Sequence, residues 1–298
     1  MRRSKRFLAT TLALTFLTAN SSFASKGGIE QLNNTFVIGF TYINSGVPSL
    51  CNGVLIASNV IATARHCVVN KEGVYGIDYH FSAPGAKLDD AIDITKVPTL
   101  LKQIIIPQQT PTSGLDLRLD LAFLVTDKPF TTGTPISIAT AAEIAQLNDN
   151  SVIAGYGYGK VFETGEPYSS FPTKFDLSWK NNSLITDTIS YYELLDENNA
   201  ACLGDSGGAI TLINSSGKEV LLGVISGAGD VVNGCGSRLA DGYYRLRMTV
   251  LNPHLSLLPK PAASPAPKIR KIICLKGSKK KVVKGVNPKC PKGYKLKK

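Results

Sequence analysis

Short apolar runs recur along this 298-residue chain, separated by turn-forming residues. The clearest runs cover residues 36–40, 53–56, 102–106, 121–125 and 220–225. Each has the length of a β-strand, and β-branched and aromatic residues are frequent in them. Gly, Pro, Asn and Asp between the runs favour tight turns over long helices. The pattern predicts an all-β sandwich or barrel, with a short helix only over residues 140–147.

The start of the chain differs from the rest. Four basic residues precede a mostly apolar run over residues 7–19, which is long enough for a signal peptide but short for a membrane span. Small residues at Ser22 and Ala24 indicate cleavage after Ala24, so that residues 1–24 are removed and the exported chain begins at Ser25. A retained membrane anchor is the alternative that the short run disfavours.

The end of the chain has its own composition. Prolines and small residues over 259–267 cannot form a core and predict a semi-rigid linker after a main domain, residues 25–258. Residues 268–298 contain 13 Lys or Arg residues and no acidic residue, whereas residues 25–267 have 16 basic against 22 acidic residues, a net charge of −6. The tail therefore predicts an electrostatic tether to something anionic, or a solubilising end.

Cysteines and histidines define which covalent and metal sites are plausible. Six cysteines in an exported chain indicate scattered disulfides, because the compartment outside the cytoplasm is oxidising. The tail is too small to bury a core unaided, so we expect Cys274 to pair with Cys290. No Cys-x-x-Cys spacing occurs and the three histidines lie far apart, so we expect neither a metal site nor a cofactor.

The most specific motif is Gly-Asp-Ser-Gly-Gly at residues 204–208. A nucleophilic serine needs backbone N–H groups that converge where an oxyanion forms, and glycines permit the required backbone path. The motif indicates Ser206 as a nucleophile, although a plain glycine-rich turn would have the same composition.

Two further residues fit the partners that such a serine requires. His66 follows an apolar run and adjoins Cys67, whose disulfide, most simply to Cys51, would hold the imidazole within hydrogen-bonding reach. Asp120 directly precedes the run at 121–125, where a carboxylate is costly unless it has a partner. A hydrogen bond to the imidazole meets that need and fixes its tautomer. Asp116 is the rival candidate for this role.

Four motifs in this order resemble the chymotrypsin and trypsin family of serine proteases: Cys51 with residues 63–67, then residues 120–124, 154–157 and 204–208. The resemblance covers roughly residues 25–258. It implies two packed antiparallel β-barrels with a triad of Ser206, His66 and Asp120 in the cleft between them. It also implies a secreted endopeptidase that cuts protein or peptide substrates through an acyl-enzyme, with the N–H groups of Gly204 and Ser206 as oxyanion donors.

The resemblance assigns further residues. It implies disulfides between Cys51 and Cys67 and between Cys202 and Cys235, and a substrate-pairing edge strand at Ser226. In the family, a freed terminal ammonium pairs with the Asp before the nucleophile, here Asp205. Ser25 has the family's spacing but lacks the usual apolar first pair, and signal peptidase could create this terminus directly.

The resemblance also identifies the pocket for the substrate residue before the cut. Trypsin-like members have an Asp six residues before the nucleophile, whereas this chain has Ala200, followed by Ala201. Ala228 replaces a more usual Gly, and Gly242 keeps the opposite wall open. A buried unpaired cation is expensive, so we expect cleavage after small or medium uncharged residues. Asp241 is the rival, since it could reach a basic side chain.

The tail resembles a short Lys-rich terminal module of exported bacterial proteins. Anionic cell-envelope polymers are its expected partners, and nucleic acid is disfavoured because no base-stacking aromatic platform is visible. Two other functions remain open. A catalytically silent homologue could act as a secreted binding or adhesion protein, although all three triad residues are present. An esterase with the same triad would normally have a Gly-x-Ser-x-Gly elbow in an α/β fold.

Overall fold

The computed structural model describes part of the chain, in segments that carry the fold. The described residues are 25, 27–70, 73, 75–93, 95–107, 119–149, 151–160, 168–180, 189–194, 199–228, 231–232, 235–236, 246–258, 270–285 and 288–296. The predicted signal peptide and linker, together with Asp116, Asp241 and Gly242, lie outside them. The chain divides into two compact units, one ending at Ser256 and the other beginning at Leu257.

The first half of the larger unit is an antiparallel sheet of six strands. The strands are β2 (Val37–Asn44), β3 (Val47–Ala57), β4 (Val60–Thr63), β5 (Ile77–Phe81), β6 (Leu101–Ile105) and β7 (Ala122–Thr126), in the spatial order β5-β2-β3-β4-β7-β6. Phe40, Ile61 and Phe123 are fully buried between them. The described edge strands β5 and β6 do not pair with each other, so this sheet is a curled half-barrel.

The second half of the larger unit is a seven-stranded antiparallel sheet. Its strands are β1 (Ile29–Glu30), β8 (Val152–Gly157), β9 (Thr173–Lys180), β10 (Ile189–Leu194), β11 (Ala209–Ile213), β12 (Glu219–Ala228) and β15 (Leu246–Val250), in the order β1-β9-β10-β15-β12-β11-β8. Because β9 also pairs with β8, six of these strands close into a barrel. Its core includes Phe175, Leu177 and Leu222. The all-β prediction is confirmed.

Helical segments within the described residues are short. They are η1 (Arg65–Cys67), α1 (Asp89–Ile92), α2 (Ala141–Ile144) and η2 (Asn252–Leu257). The helix expected near 140–147 is present as α2, whose first turn is closed by reciprocal hydrogen bonds between Thr140 and Glu143. No described helix has the length and apolar character needed to cross a membrane.

The smaller unit is a three-stranded antiparallel sheet built around a disulfide. Strands β16 (Arg270–Lys276), β17 (Lys279–Gly285) and β18 (Lys295–Leu296) have the order β17-β16-β18. Cys274 is fully buried and bonded to Cys290. The remaining short strands, β13 (Val231–Val232) and β14 (Cys235–Gly236), form a separate hairpin in the larger unit.

Candidate active site

The imidazole of His66 is held at the end of a strand by a short 3₁₀ turn. Strand β4 ends at Thr63 and η1 follows at once, with the Cys67 N–H donating to the carbonyl of Ala64 at 3.1 Å. The Cys51–Cys67 disulfide ties this turn to β3, with 5.9 Å between the two Cα atoms. The ring is therefore fixed at its backbone, while 47% of its side chain remains exposed to solvent.

Asp120 lies two residues before β7, and its carboxylate faces His66. Its Oδ1 accepts the backbone N–H of His66 at 2.9 Å, and its Oδ2 lies 2.7 Å from Nδ1 of the ring. A carboxylate can only accept, so Nδ1 carries the hydrogen and Nε2 is left as the basic nitrogen. The hydroxyl of Ser226, on β12, donates to the same Oδ2 at 2.5 Å. Both halves of the unit thus orient one carboxylate.

The electrostatics of Asp120 favour its ionised form. Burial opposes ionisation, but the hydrogen bonds and charge of His66 and the hydroxyl of Ser226 outweigh it, so the pKa of Asp120 is lowered. The side chain is 8% exposed. A charged carboxylate at this position can hold the neutral imidazole in one tautomer and stabilise the imidazolium.

In the part of the chain that the structure describes, the loop that carries Ser206 leaves the backbone N–H groups of Leu203, Gly204 and Ser206 without an acceptor. Other N–H groups of the loop have acceptors. That of Asp205 donates to the Cys202 carbonyl at 3.0 Å and that of Gly207 to the Ile225 carbonyl at 2.8 Å. The Gly208 N–H donates to the Asp205 carbonyl at 2.9 Å. The family resemblance predicts the N–H groups of Gly204 and Ser206 as oxyanion donors.

Two glycines make the path of this loop possible. Gly204 and Gly207 have φ angles of +96° and +78°, which favour glycine. At Gly207 a Cβ would lie 2.2 Å from both the carbonyl oxygen of Asn52 and Oγ1 of Thr63. Any other residue would push the loop away from the first sheet.

Ser206 and His66 are both accessible, and no hydrogen bond joins Ser206 Oγ to Nε2 within the part of the chain that the structure describes. Such hydrogen bonds are often long until a substrate is bound. Nε2 lies 3.8 Å from Sγ of Cys67. Cys51, His66 and Cys67 bring their ligand-type atoms within 4.8 Å of one another, but both sulfurs belong to a disulfide and offer no thiolate to a metal.

Asp205 is fully buried beside Ser206. It accepts the N–H groups of Cys202 and Gly159 at 2.7 and 2.8 Å, and the hydroxyl of Ser25 at 3.0 Å. Burial raises its pKa to about 6, and these hydrogen bonds only partly counteract the desolvation. The Ser25 hydroxyl also lies 2.9 Å from Oγ1 of Thr173. The residue expected at the new terminus is therefore adjacent to the expected carboxylate.

The residues expected to form the substrate pocket are only partly described. Ala200 and Ala201 are buried, and Ala200 packs in a cluster with the Cys202–Cys235 disulfide. The backbone of Ala228 ends β12, opposite Leu246 of β15. Ser226, expected to pair with substrate, is also tied to Asp120 through its side chain.

The structure adds two residues that the motifs did not identify. Asn52 and Thr63 lie on β3 and β4, both fully buried, and they contact the loop that carries Ser206. The available signal was an asparagine between Cys51 and Gly53 in an otherwise apolar strand, because a buried amide needs specific partners.

Comparisons with known proteins agree with this geometry. The family profile described as Trypsin matches residues 26–250. Lectizyme from Glossina austeni is 26% identical over 205 residues, which cover 62% of this chain and 69% of that protein. The match to the family extends over both sheets and all the motifs that pointed to it, and the chain belongs to the trypsin family of serine proteases.

Proposed function

We propose that the protein is a secreted serine endopeptidase in which Ser206 is the nucleophile, His66 the general base and Asp120 the orienting carboxylate. The observation that carries this proposal is the His66–Asp120 pair, joined by two hydrogen bonds of 2.9 and 2.7 Å. This arrangement leaves Nε2 basic and accessible, as a general base requires. A structural histidine would need neither this exposure nor a second carboxylate contact.

The chemistry follows from these atoms. Ser206 Oγ attacks the peptide carbonyl while its proton passes to Nε2 of His66, and the resulting oxyanion accepts hydrogen bonds from the N–H groups of Gly204 and Ser206. The C–N bond then breaks as the imidazolium gives its proton to the leaving amine. Water attacks the acyl-enzyme by the same route, releasing the acid and regenerating Ser206.

We infer that the preferred residue before the cut is small or medium and uncharged. Ala200 and Ala201 are buried and offer no charge to a basic side chain. Desolvating a cation without a partner is expensive, whereas an apolar side chain gains free energy by burial. The extra methyl group of Ala228, where Gly is usual, would disfavour large aromatic residues.

Export and activation belong to the same proposal. Signal peptidase would cleave after Ala24, and the ammonium freed at Ser25 would lie near Asp205, which already accepts the Ser25 hydroxyl. The mature protein would act outside the cytoplasm, in keeping with the disulfides of both units.

The smaller unit is proposed to bind an anionic cell-envelope polymer. Its exposed lysines include Lys271, Lys276, Lys279, Lys280, Lys281, Lys289, Lys292 and Lys295. Changing Lys280 and Lys281 to Gln should weaken sedimentation with phosphate-rich cell walls and make the remaining binding less dependent on salt, because fewer counterions are released. Changing Lys102 and Lys128 of the larger unit is the matched control, and an equal effect of both pairs would contradict a tail-specific site.

Casein hydrolysis tests the proposed activity. The purified mature chain should digest casein, and Ser206→Ala should lower the rate by roughly four to six orders of magnitude with an unchanged circular dichroism spectrum. A folded wild-type protein that fails to cleave would instead favour the silent binding homologue. A Ser206→Ala variant with wild-type turnover would contradict the nucleophile assignment.

A further inference from the structure

A fully buried asparagine links the first sheet to the loop that carries Ser206, residues 202–208, here called the nucleophile loop. Asn52 lies on β3, directly after Cys51, and its side chain has no exposed surface. Its Nδ2 donates to the carbonyl oxygen of Gly204 and lies 3.5 Å from that of Ser206. Its Oδ1 accepts the N–H of Tyr158, after β8, at 3.0 Å. One amide thus joins three segments that are distant in sequence.

The backbone of the same residue adds two more contacts. The Asn52 N–H donates to the carbonyl of Ser206 at 2.8 Å, and its carbonyl accepts the hydroxyl of Thr63 at 2.6 Å. These contacts do not depend on which side chain occupies position 52. Replacing Asn52 therefore removes the contacts of its side-chain amide and leaves its backbone hydrogen bonds in place.

The carbonyls of the nucleophile loop are bound one after another, which fixes its peptide planes. Those of Leu203 and Asp205 accept N–H groups of Lys160 and Gly208, at 2.7 and 2.9 Å. Those of Gly204 and Ser206 both accept from Asn52. A planar peptide joins each carbonyl to the N–H of the next residue, so the bound carbonyls of Leu203 and Asp205 set the N–H groups of Gly204 and Ser206. The Gly204 carbonyl, bound by Asn52, fixes the peptide that lies between these two.

We propose that Asn52 is a positioning residue for the oxyanion hole. Its Nδ2 holds the Gly204 carbonyl and so prevents the Gly204–Asp205 peptide from rotating, a motion that glycine at position 204 would otherwise permit. This peptide connects the two peptides that carry the Gly204 and Ser206 N–H groups, so holding it fixes the orientation of one donor relative to the other. Oδ1 anchors the amide to the N–H of Tyr158 and prevents it from flipping. The inference rests on the proposed peptidase function and concerns the transition state, because an oxyanion hole contributes most where charge develops.

The test separates transition-state effects from stability. Asn52→Ala removes the amide and retains the backbone contacts at position 52. We expect kcat for a peptide substrate to fall about 10- to 100-fold with KM within about threefold of wild type, since loss of an oxyanion donor itself costs about 100- to 1000-fold. Affinity for a peptide aldehyde, whose hemiacetal oxygen occupies the hole, should fall by the same factor as kcat.

Asn34→Ala is the matched control. The Asn34 Oδ1 accepts the backbone N–H groups of Phe36 and Val37 at 3.0 and 2.7 Å, so its loss should lower the melting temperature without changing kcat or aldehyde affinity. If Asn52→Ala does not fold, Asn52→Asp retains an acceptor for the Tyr158 N–H and should show the same loss of kcat.

The outcomes distinguish the inference from the proposed function. A folded Asn52 variant with wild-type kcat and aldehyde affinity would overturn the positioning role while leaving the peptidase intact. A loss confined to the melting temperature would overturn it too. Wild-type protein without any turnover would contradict the proposed function, and the inference would fall with it.

Discussion

The two halves of the larger unit each bury one carboxylate beside the site, and they stabilise it differently. Counted over the whole residue, Asp120, two positions before β7, is 6% exposed, and Asp205, next to Ser206, is 0% exposed. The pKa of Asp120 is nevertheless lowered, whereas that of Asp205 is raised to about 6. Asp120 faces an imidazole that can carry charge, while the described donors around Asp205 are two backbone amides and a hydroxyl. Burial alone therefore does not determine ionisation.

The contrast suggests different roles for the two carboxylates. Asp120 is balanced by His66, the proposed base, so its ionised form is available as soon as the domain folds. Asp205 retains a desolvation penalty that a nearby cation would relieve. The ammonium proposed at Ser25 would supply that cation, and signal-peptide removal would then stabilise the nucleophile loop.

The largest expected effect on kcat comes from replacing Asp120, the buried carboxylate of the first half. Asp120→Asn should lower kcat about 10⁴-fold, because an amide facing His66 favours the wrong imidazole tautomer. Asp116→Asn should leave kcat nearly unchanged, and peptide hydrolysis by both purified variants provides the measurement. The opposite ranking would transfer the carboxylate role to Asp116.

A third buried carboxylate can be added in the second half, at Ala200, and its expected effect is on substrate preference. Ala200→Asp should raise the ratio of kcat/KM for Lys and Arg substrates over Leu substrates by about tenfold, since it supplies the missing counter-charge. A peptide-library digest by wild type should show cuts after small or medium uncharged residues. Wild-type cuts mainly after Arg or Lys would contradict the neutral pocket and point to Asp241.

The smallest expected effect is a pH dependence of stability from Asp205. In a chain that retains residues before Ser25, Asp205 keeps its proton up to about pH 6, whereas an unfolded aspartate releases it near pH 4. The folded state binds more protons between these values, so the free energy of unfolding should decrease as the pH rises, by about 2–3 kcal/mol.

Urea titrations from pH 4 to 7 measure this decrease. Asp205→Asn should remove it, whereas Asp127→Asn, at an exposed aspartate, should not. In the chain that begins at Ser25, the ammonium should lower the pKa of Asp205 and shrink the decrease. Equal pH profiles for Asp205→Asn and the parent would refute the assigned cause.

Local sequence signals predicted much of the fold but not all of it. The apolar runs at 36–40 and 121–125 correspond to β2 and β7, and the short helix near 140 has its capping residues in sequence. Strand β9 (Thr173–Lys180) is not among the continuous apolar runs, because polar residues at 174, 176 and 178 alternate with apolar ones, which is the pattern of a half-buried strand. Pairing of β9 with β8, which closes the second barrel, depends on contacts that no local pattern contains.

The candidate site likewise contains some residues that local sequence signals predict and others that only the structure identifies. The motifs around His66, Asp120 and Ser206 are short and specific, so they could be found without a structure. Asn52 is visible in the sequence only as a polar residue in an apolar strand. Its role could not be predicted, because its partner Gly204 is 152 positions away and the need for the amide arises only when the two sheets meet. The hydroxyl contact between Ser25 and Asp205 is hidden for the same reason.

Covalent labelling of Ser206 tests the central proposal most directly. A fluorophosphonate reacts with a serine oxygen that an adjacent base activates, so the mature protein should gain one adduct, located by peptide mass mapping on Ser206. His66→Ala should slow the labelling by several orders of magnitude, and Ser206→Ala should abolish it. An unlabelled, folded wild-type protein, or an adduct on another serine, would contradict the account.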